Sequence, residues 1–231
     1  LLILATGTFL HSCQDEVTSN EEQETAGSGR TRVIHSASST SELDIAVRDL
    51  YDNSLYALEY NTTYGRQYGY YDLTAGMREV KLYLTYTNIA VAGTVFNMEN
   101  GAKHTLIAHD FESTIEPELM VLRDTLSSPA GDHSFIRFVH LGTDAPPLRI
   151  VEEEVQLSLP DIEPFAHTDY FEVQSDTYRF QILDTDSANL LLVAEPVTFL
   201  SGNSYTLILS GSLSDATPVP FNLKTYRETS Y

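Results

Sequence analysis

The chain is written twice. Arg32-Val33-Ile34-His35 returns 105 residues later as Arg137-Phe138-Val139-His140, and at the same offset Leu43 and Ile45 return as Leu148 and Ile150. Further matches follow in order. Tyr70-Tyr71-Asp72-Leu73 pairs with Tyr170-Phe171-Glu172-Val173, Val80 and Leu82 with Phe180 and Ile182, and Gly101 and Thr105-Leu106 with Gly202 and Thr206-Leu207. The offset shortens to 100 or 101, as changes in loop length would make it. Ordered matches along two copies identify an internal duplication, so the fold of one copy is expected in the other.

Within each copy apolar side chains recur at every second position: Leu43, Ile45 and Val47; Val80, Leu82 and Leu84; Phe180 and Ile182; Tyr205, Leu207 and Leu209. A period of two belongs to strands with one face on a core and the other in solvent. Turn formers at Thr74-Ala75-Gly76, Glu99-Asn100-Gly101, Asp184-Thr185-Asp186-Ser187 and Ser201-Gly202-Asn203 separate the runs. That spacing gives about seven short strands per copy, as a sandwich requires. Helical periodicity is almost absent; a short helical turn is expected over 110–117, ended by Pro117. The Ser-, Pro- and Gly-rich stretch 127–132 has linker composition. The predicted class is all-β, with two tandem β-sandwich domains at 31–126 and 134–231.

Two segments of different composition precede the first copy. Leu10-His11-Ser12-Cys13, behind the apolar stretch 1–10, resembles a bacterial lipobox, where a diacylglycerol is attached to the cysteine and everything upstream is removed. Residues 1–12 then read as a signal peptide, truncated because the chain opens at Leu1 without Met or a basic region. Cys13 is the only cysteine. With lipid on it no thiol remains for a disulfide, and the fold has to stand on its core. Several acyl chains on one cysteine anchor a protein stably, and no other apolar run approaches the roughly 20 residues of a membrane span. Residues 13–30 read as an extended tether, with five acids, no aromatic residue and a Gly-Ser-Gly end.

Thirteen Lys plus Arg against thirty-three Asp plus Glu give a net charge of −20, which repels phosphate backbones and argues against nucleic-acid binding. No Gly-x-Ser-x-Gly, His-Glu-x-x-His, Walker or dinucleotide motif is present. His35 and His140, repeated near the end of a repeated strand, are better suited to bonding the backbone of the following loop than to catalysis. His104 and His109 lie five apart on a predicted strand, so they point to opposite faces and do not share a metal. Asp184, Asp186 and Asn189 supply oxygen at alternating loop positions, as a Ca²⁺ site would; an Asx-rich turn accounts for the same residues. Asp124-Thr125-Leu126 and Asp186-Ser187-Ala188 resemble a short O-glycosylation acceptor. Tyr60, Tyr64, Tyr68 and Tyr70, with Tyr56 and Tyr71, form an aromatic cluster interleaved with polar residues. Such a cluster suits sugar rings or a protein partner, and strand packing is the competing explanation.

The segments Arg-Val-Ile-His-Ser-Ala-Ser at 32–38 and Arg-Phe-Val-His-Leu-Gly-Thr-Asp-Ala-Pro at 137–146, with the alternating strands that follow, resemble the bacterial domain-of-unknown-function 4397 family. Its signature is an Arg-Val-Val-His-Ala-Ser-Pro-Asp-Ala-Pro stretch followed by a Val-Asp-Val-Tyr type of strand. The second copy keeps Asp144-Ala145-Pro146, whereas the first has Ser39-Thr40-Ser41. The resemblance covers nearly everything after the tether, implies immunoglobulin-like β-sandwiches and brings no established activity. Gln14-Asp15-Glu16, directly after the cysteine, resembles the surface-export signal of Bacteroidetes-type lipoproteins. The expectation is a lipid-anchored outer-membrane protein with a non-catalytic binding, adhesion or structural role, without a cofactor. Its partners would be the membrane, through the lipid, and a glycan or protein at the cell surface. The alternatives are a glycan-active envelope enzyme with a carboxylate site and a purely structural spacer.

Overall fold

The computed structural model describes residues 27–40, 42–111, 117–124, 127–152, 159–214 and 218–228. The expectations for the signal peptide, for Cys13, for the tether as far as residue 26, for the helical turn over 112–116 and for Thr125-Leu126 lie outside the described residues. Those described are all-β, without a helix.

The first copy holds eight strands: β1 (Ser28–Ser36), β2 (Glu42–Asp49), β3 (Leu55–Thr63), β4 (Arg66–Thr74), β5 (Gly76–Leu84), β6 (Ala90–Met98), β7 (Lys103–Asp110) and β8 (Pro117–Arg123). They form two four-stranded sheets, in the orders β4-β1-β7-β8 and β3-β2-β5-β6. The second copy holds β9 (His133–Gly142), β10 (Leu148–Glu152), β11 (Phe171–Gln174), β12 (Thr177–Tyr178), β13 (Phe180–Asp184), β14 (Leu190–Val193), β15 (Val197–Thr198), β16 (Ser204–Gly211) and β17 (Asn222–Glu228). The sheet β11-β9-β16-β17 repeats the order of β4-β1-β7-β8, opposite a three-stranded sheet β10-β13-β14, with a small pair β12-β15 beside them. Duplication therefore extends to topology: β1 runs parallel to β7, and β9 parallel to β16.

Each copy encloses its own core between its two sheets. Val33, Leu106 and Ala108 of one sheet meet Leu43, Ile45, Val47, Val80 and Leu82 of the other. In the second copy Phe138, Leu207 and Leu209 meet Leu148, Ile150, Phe180 and Ile182. Strand β2, in the sheet that faces away from the other copy, alternates as the sequence predicts, its Leu43, Ile45 and Val47 buried and the residues between them half-buried. Four central strands depart from the expected solvent face. In β1, β7, β9 and β16 the alternate residues are buried as well, Thr206, Ile208 and Ser210 of β16 among them. The reason is a third core between the copies, made of Ile34, Ile107 and Leu122 from the first and Val139, Leu141, Ile208 and Tyr226 from the second. Strands covered on both faces read as near-continuous apolar runs, which Thr105-Leu106-Ile107-Ala108 and Tyr205-Thr206-Leu207-Ile208-Leu209 do.

Residues 28–30, which composition assigns to the expected tether, are strand. Ser28, Gly29 and Arg30 belong to β1, opposite Thr74, Leu73 and Asp72 of β4. Gly29 is there for fit: a Cβ at that position would stand 2.2 Å from Met98 Sδ and 2.8 Å from the Ala102 carbonyl oxygen. Composition mistook a close backbone approach for a flexible end.

Candidate ligand-binding surface

The residues that looked most like chemistry form the layer between the copies. The repeated arginine of each Arg-x-x-His segment points away from its own core into the other half. Arg32 donates from Nε to Thr105 Oγ1 (2.7 Å) and from Nη2 to Thr206 Oγ1 (2.9 Å) and Glu228 Oε1 (3.1 Å). Arg137 mirrors it, donating from Nε to Thr206 Oγ1 (3.0 Å) and from Nη2 to Thr105 Oγ1 (3.1 Å) and Asp124 Oδ1 (2.6 Å). Tyr70 donates to Asp124 Oδ2 at 3.0 Å and Tyr170 to Glu228 Oε1. Two arginines thus balance two carboxylates in a pseudo-two-fold arrangement. Burial pushes both phenols up. It also holds the Glu228 carboxyl above its usual range, against the pull of Arg32. Charges removed from water persist only when paired and hydrogen-bonded, and all four are.

The histidines tie down loops. His35 Nε2 lies 3.1 Å from the Ala37 carbonyl oxygen and His140 Nε2 3.0 Å from that of Pro146. A carbonyl only accepts, so both rings carry their proton on Nε2, and His140 Nδ1 is free to accept from Gly142 N at 3.2 Å. Burial lowers the pKa of both imidazoles. His104 and His109 face different aromatic rings, Phe96 and Phe165. Among the described residues, no three His, Cys, Asp or Glu side chains are grouped to hold a metal.

A carboxylate latch closes the next loop in each copy. Asp110, at the end of β7, accepts from Ser38 N (2.6 Å), Ser38 Oγ (2.7 Å), Ser39 N (3.2 Å) and Ser39 Oγ. In the second copy Asp144, in the loop after β9, accepts from Ser212 Oγ (2.8 Å), Leu213 N (2.7 Å), Ser214 N (2.9 Å) and Ser214 Oγ (2.5 Å) beyond β16. Burial opposes its ionisation, yet these bonds hold the Asp144 carboxyl below its usual range.

The tyrosine cluster is dispersed. Tyr64 sits between the copies, its hydroxyl 3.1 Å from Ser210 Oγ and accepting from Asn222 Nδ2 at 3.1 Å, with Lys224 Nζ 4.2 Å from its ring centroid. Tyr68 packs against the first core and accepts from Thr63 N at 2.9 Å. Tyr70 belongs to the charged layer. Of the four, Tyr60 alone is largely exposed, on a shallow hollow of about 360 Å³ with Asp44, Ala46, Ala57 and Tyr83. Asp184, Asp186 and Asn189 lie together on the β13–β14 turn. There Asp184 accepts from Asp186 N (2.9 Å) and Ser187 Oγ (2.5 Å), and Asp184 N donates to the Asn189 carbonyl (3.0 Å). The bonds from Ser187 and Asp186 hold the Asp184 carboxyl below its usual range.

Exposed apolar surface gathers instead at one end of the first copy. Leu50, Tyr51, Leu55, Tyr56 and Met77 are 44%, 97%, 56%, 44% and 49% exposed. Leu50, Tyr51, Tyr56 and Met77 line an open hollow of about 840 Å³. Beneath it the β2–β3 and β4–β5 turns are welded by a buried ion pair, Arg78 Nη1 to Asp49 Oδ1 at 2.7 Å. Arg78 also donates to the carbonyls of Thr74 (2.9 Å from Nε), Met77 (3.0 Å) and Ala75 (2.9 Å). Asp49 Oδ1 accepts from Tyr51 N at 2.8 Å, and Asp52 Oδ1 from Ser54 N at 2.8 Å. A turn so bonded presents its side chains at little further ordering cost. The signal in the sequence is Leu50-Tyr51 and Leu55-Tyr56 on either side of Asp52-Asn53-Ser54. A search for tyrosines in a row passes over it.

Residues 29–151 match the model of DUF4397, a domain of unknown function. The chain belongs to this family. The DUF4397 match begins in β1, takes in both Arg-x-x-His segments and ends in β10, so it is narrower than the sequence resemblance implied and leaves β11 to β17 outside. No curated protein matches the chain. Among solved structures, the Bacillus anthracis TIE protein is similar at 9% identity and a TM-score of 0.27, covering 84% of this chain and 34% of its own. The chain therefore spans about a third of that protein's length. The family CBM26 module CBMbc from Eubacterium rectale Amy13K, solved in complex with maltoheptaose, is similar at 10% identity and a TM-score of 0.28, covering 87% of this chain and 98% of its own. The fimbrial anchor protein Mfa2 from Porphyromonas gingivalis is similar at 7% identity and a TM-score of 0.24, covering 88% and 100%.

Proposed function

We propose that this chain is a non-catalytic binding protein of the cell envelope that presents the Leu50–Tyr56 turn and Met77 to a ligand. One observation carries the reading: the exposed apolar and aromatic side chains gather on a turn locked by Arg78 and Asp49, whereas the repeated histidines and the buried carboxylates are committed to loops and to the layer between copies. Tyrosine offers a flat apolar face and a hydroxyl at low entropy cost, the combination that binds sugar rings and protein surfaces.

In this reading the copies are tandem immunoglobulin-like sandwiches fused into one unit, Cys13 carries the lipid, and the acidic segment between Cys13 and β1 sets the distance from the outer membrane. The tip stands at the end of the first copy where the chain enters β1, Ala75 N donating to the Gly27 carbonyl at 2.6 Å, so the acidic segment alone sets its reach. Binding of the chain to a panel of soluble oligosaccharides and to extracted envelope proteins tests it. A ligand is expected whose affinity falls at least about tenfold, or about 1.4 kcal/mol, on Tyr51→Ala. Because Tyr51 is 97% exposed, the melting temperature should not move. A ligand that Tyr51→Ala and Tyr56→Ala both leave bound at full affinity would place the binding surface elsewhere, and hydrolysis of chromogenic glycosides would favour an enzyme.

A further inference from the structure

Strand β6 ends the sheet β3-β2-β5-β6 and pairs with β5 alone among the described residues. Its sequence, Ala-Val-Ala-Gly-Thr-Val-Phe-Asn-Met, has nine residues with neither a charge nor a proline, and its one register shift lies at the start, where Ala90 and Ala92 pair with Tyr83 and Leu82, leaving Ala92 to Met98 regular. Edge strands are ordinarily guarded by charge, proline, bulges or brevity, because their unpaired backbone groups recruit another strand. The other described edges of this chain are guarded so. β8 opens with Pro117-Glu118, β17 carries Lys224, Arg227 and Glu228, β3 carries Glu59 and pairs through two register shifts, and the uncharged β14 has four residues. In a chain of net charge −20, a long neutral edge is where two identical molecules approach without setting acid against acid.

The strand is also complementary to itself. Antiparallel pairing about a two-fold axis through Thr94 sets Phe96 opposite Ala92 and Val95 opposite Gly93, a large side chain against a small one each time. Ala92 and Phe96 lean on the core face, partly buried, while Val95 is 49% exposed on the outer face. Beside β6 the two sheets leave an open seam of about 460 Å³, lined by Val91, Thr94 and Phe111 and, from β8, by Pro117, Glu118 and Leu119, Glu118 being its one charged residue. A second edge laid along β6 closes it. We propose that two copies of this chain associate through β6, pairing antiparallel about Thr94 to join their outer sheets into one. The proposal is independent of the tip described above, which stands on a different part of the first copy.

Sedimentation equilibrium of the 231-residue chain, with Cys13→Ser present throughout, tests it. The expected result is a reversible dimer, with twice the mass of the chain, whose dissociation constant rises by roughly tenfold or more in Val95→Lys, because the two-fold axis doubles every substitution. Val95 is exposed enough for Lys to be accommodated without refolding the core. A second measurement fixes the register: residues opposite each other across an antiparallel pair stand within disulfide reach. Thr94→Cys should therefore give a covalent dimer on mild oxidation well in excess of that from Tyr51→Cys. A monomer at all concentrations would overturn the proposal, as would a dimer that Val95→Lys leaves intact and that crosslinks no faster at 94 than at 51.

Discussion

The two copies close the same loop with the same bonds written from opposite sides. In the first, the carboxylate stands on the end of β7 as Asp110 and the serines are in the loop. In the second, Asp144 is in the loop and the serines follow β16. Ser39 occupies the position of Asp144, so the first copy's departure from the family's Asp-Ala-Pro is an exchange of partners and not a loss. The layer between copies shows no such exchange. Arg32 and Arg137, Thr105 and Thr206, and Tyr70 and Tyr170 are the same residue in each half. A latch needs one acceptor and one set of donors in either order. A shared buried layer needs its charges balanced from both sides at once, and moving one leaves another unpaired.

That difference ranks the consequences of breaking each. Arg137→Met leaves Asp124, whose side chain is fully buried, without its 2.6 Å partner, and is expected to cost about 3–5 kcal/mol in urea unfolding. Adding Asp124→Leu should recover part of this, since a matched apolar pair is tolerated better than a lone charge. A double variant no more stable than the single one would show that charge balance is not what holds the layer. Asp110→Ser strands several donors and should cost about 1–3 kcal/mol. Asp144, more exposed, should cost less. Ser39→Asp in the Asp110→Ser background copies the second latch into the first and is expected to restore some of the loss; further destabilisation would mean that the two latches are not interchangeable.

Smaller effects follow from pH. Burial lowers the pKa of His35, His104, His109 and His140 below the ordinary 6.5. The unfolded chain therefore takes up protons first, and stability should fall as pH drops below about 6.5, levelling once the folded-state values are passed. Glu228, held above its ordinary 4.5, has the opposite sign: its contribution falls as pH rises from that value through its folded one. One group against four, it should blunt the trend without reversing it. The urea midpoint at pH 7.5 should exceed that at pH 5.5, and His35→Gln with His140→Gln should flatten the slope. The smallest effect is that of calcium. With Asp184 already engaged by Asp186 and Ser187, added Ca²⁺ should leave the melting temperature unchanged, whereas a rise would make the β13–β14 turn a ligand site.

Much of the architecture was legible because it is written in local patterns. The duplication, the strands of the outer sheets and the loop-pinning histidines follow from spacing and from which groups donate. What was missed depends on residues far apart. Nothing near Arg32 announces Thr206 or Glu228, which come from the other copy, so its burial could not be read locally. The clue was indirect: β1, β7, β9 and β16 are too continuously apolar to keep a wet face. Tyr64 and Tyr70 looked like surface because they alternate with polar residues, yet Tyr64 bonds across to Ser210 and Asn222, Tyr70 joins the buried charges, and Gln67 between them donates to the Arg227 carbonyl of the other copy. The tip was overlooked for the converse reason, since a short polar turn hides the Leu-Tyr pairs that flank it.

The central claim is that the two halves form one unit through the Arg32–Arg137 layer, and hydrogen exchange on Arg137→Met tests it most directly. Amides of β1 and β7, in the half that does not carry the substitution, should lose protection together with those of β9 and β16. Loss confined to the second copy, with β1 and β7 exchanging as in the parent chain, would contradict it.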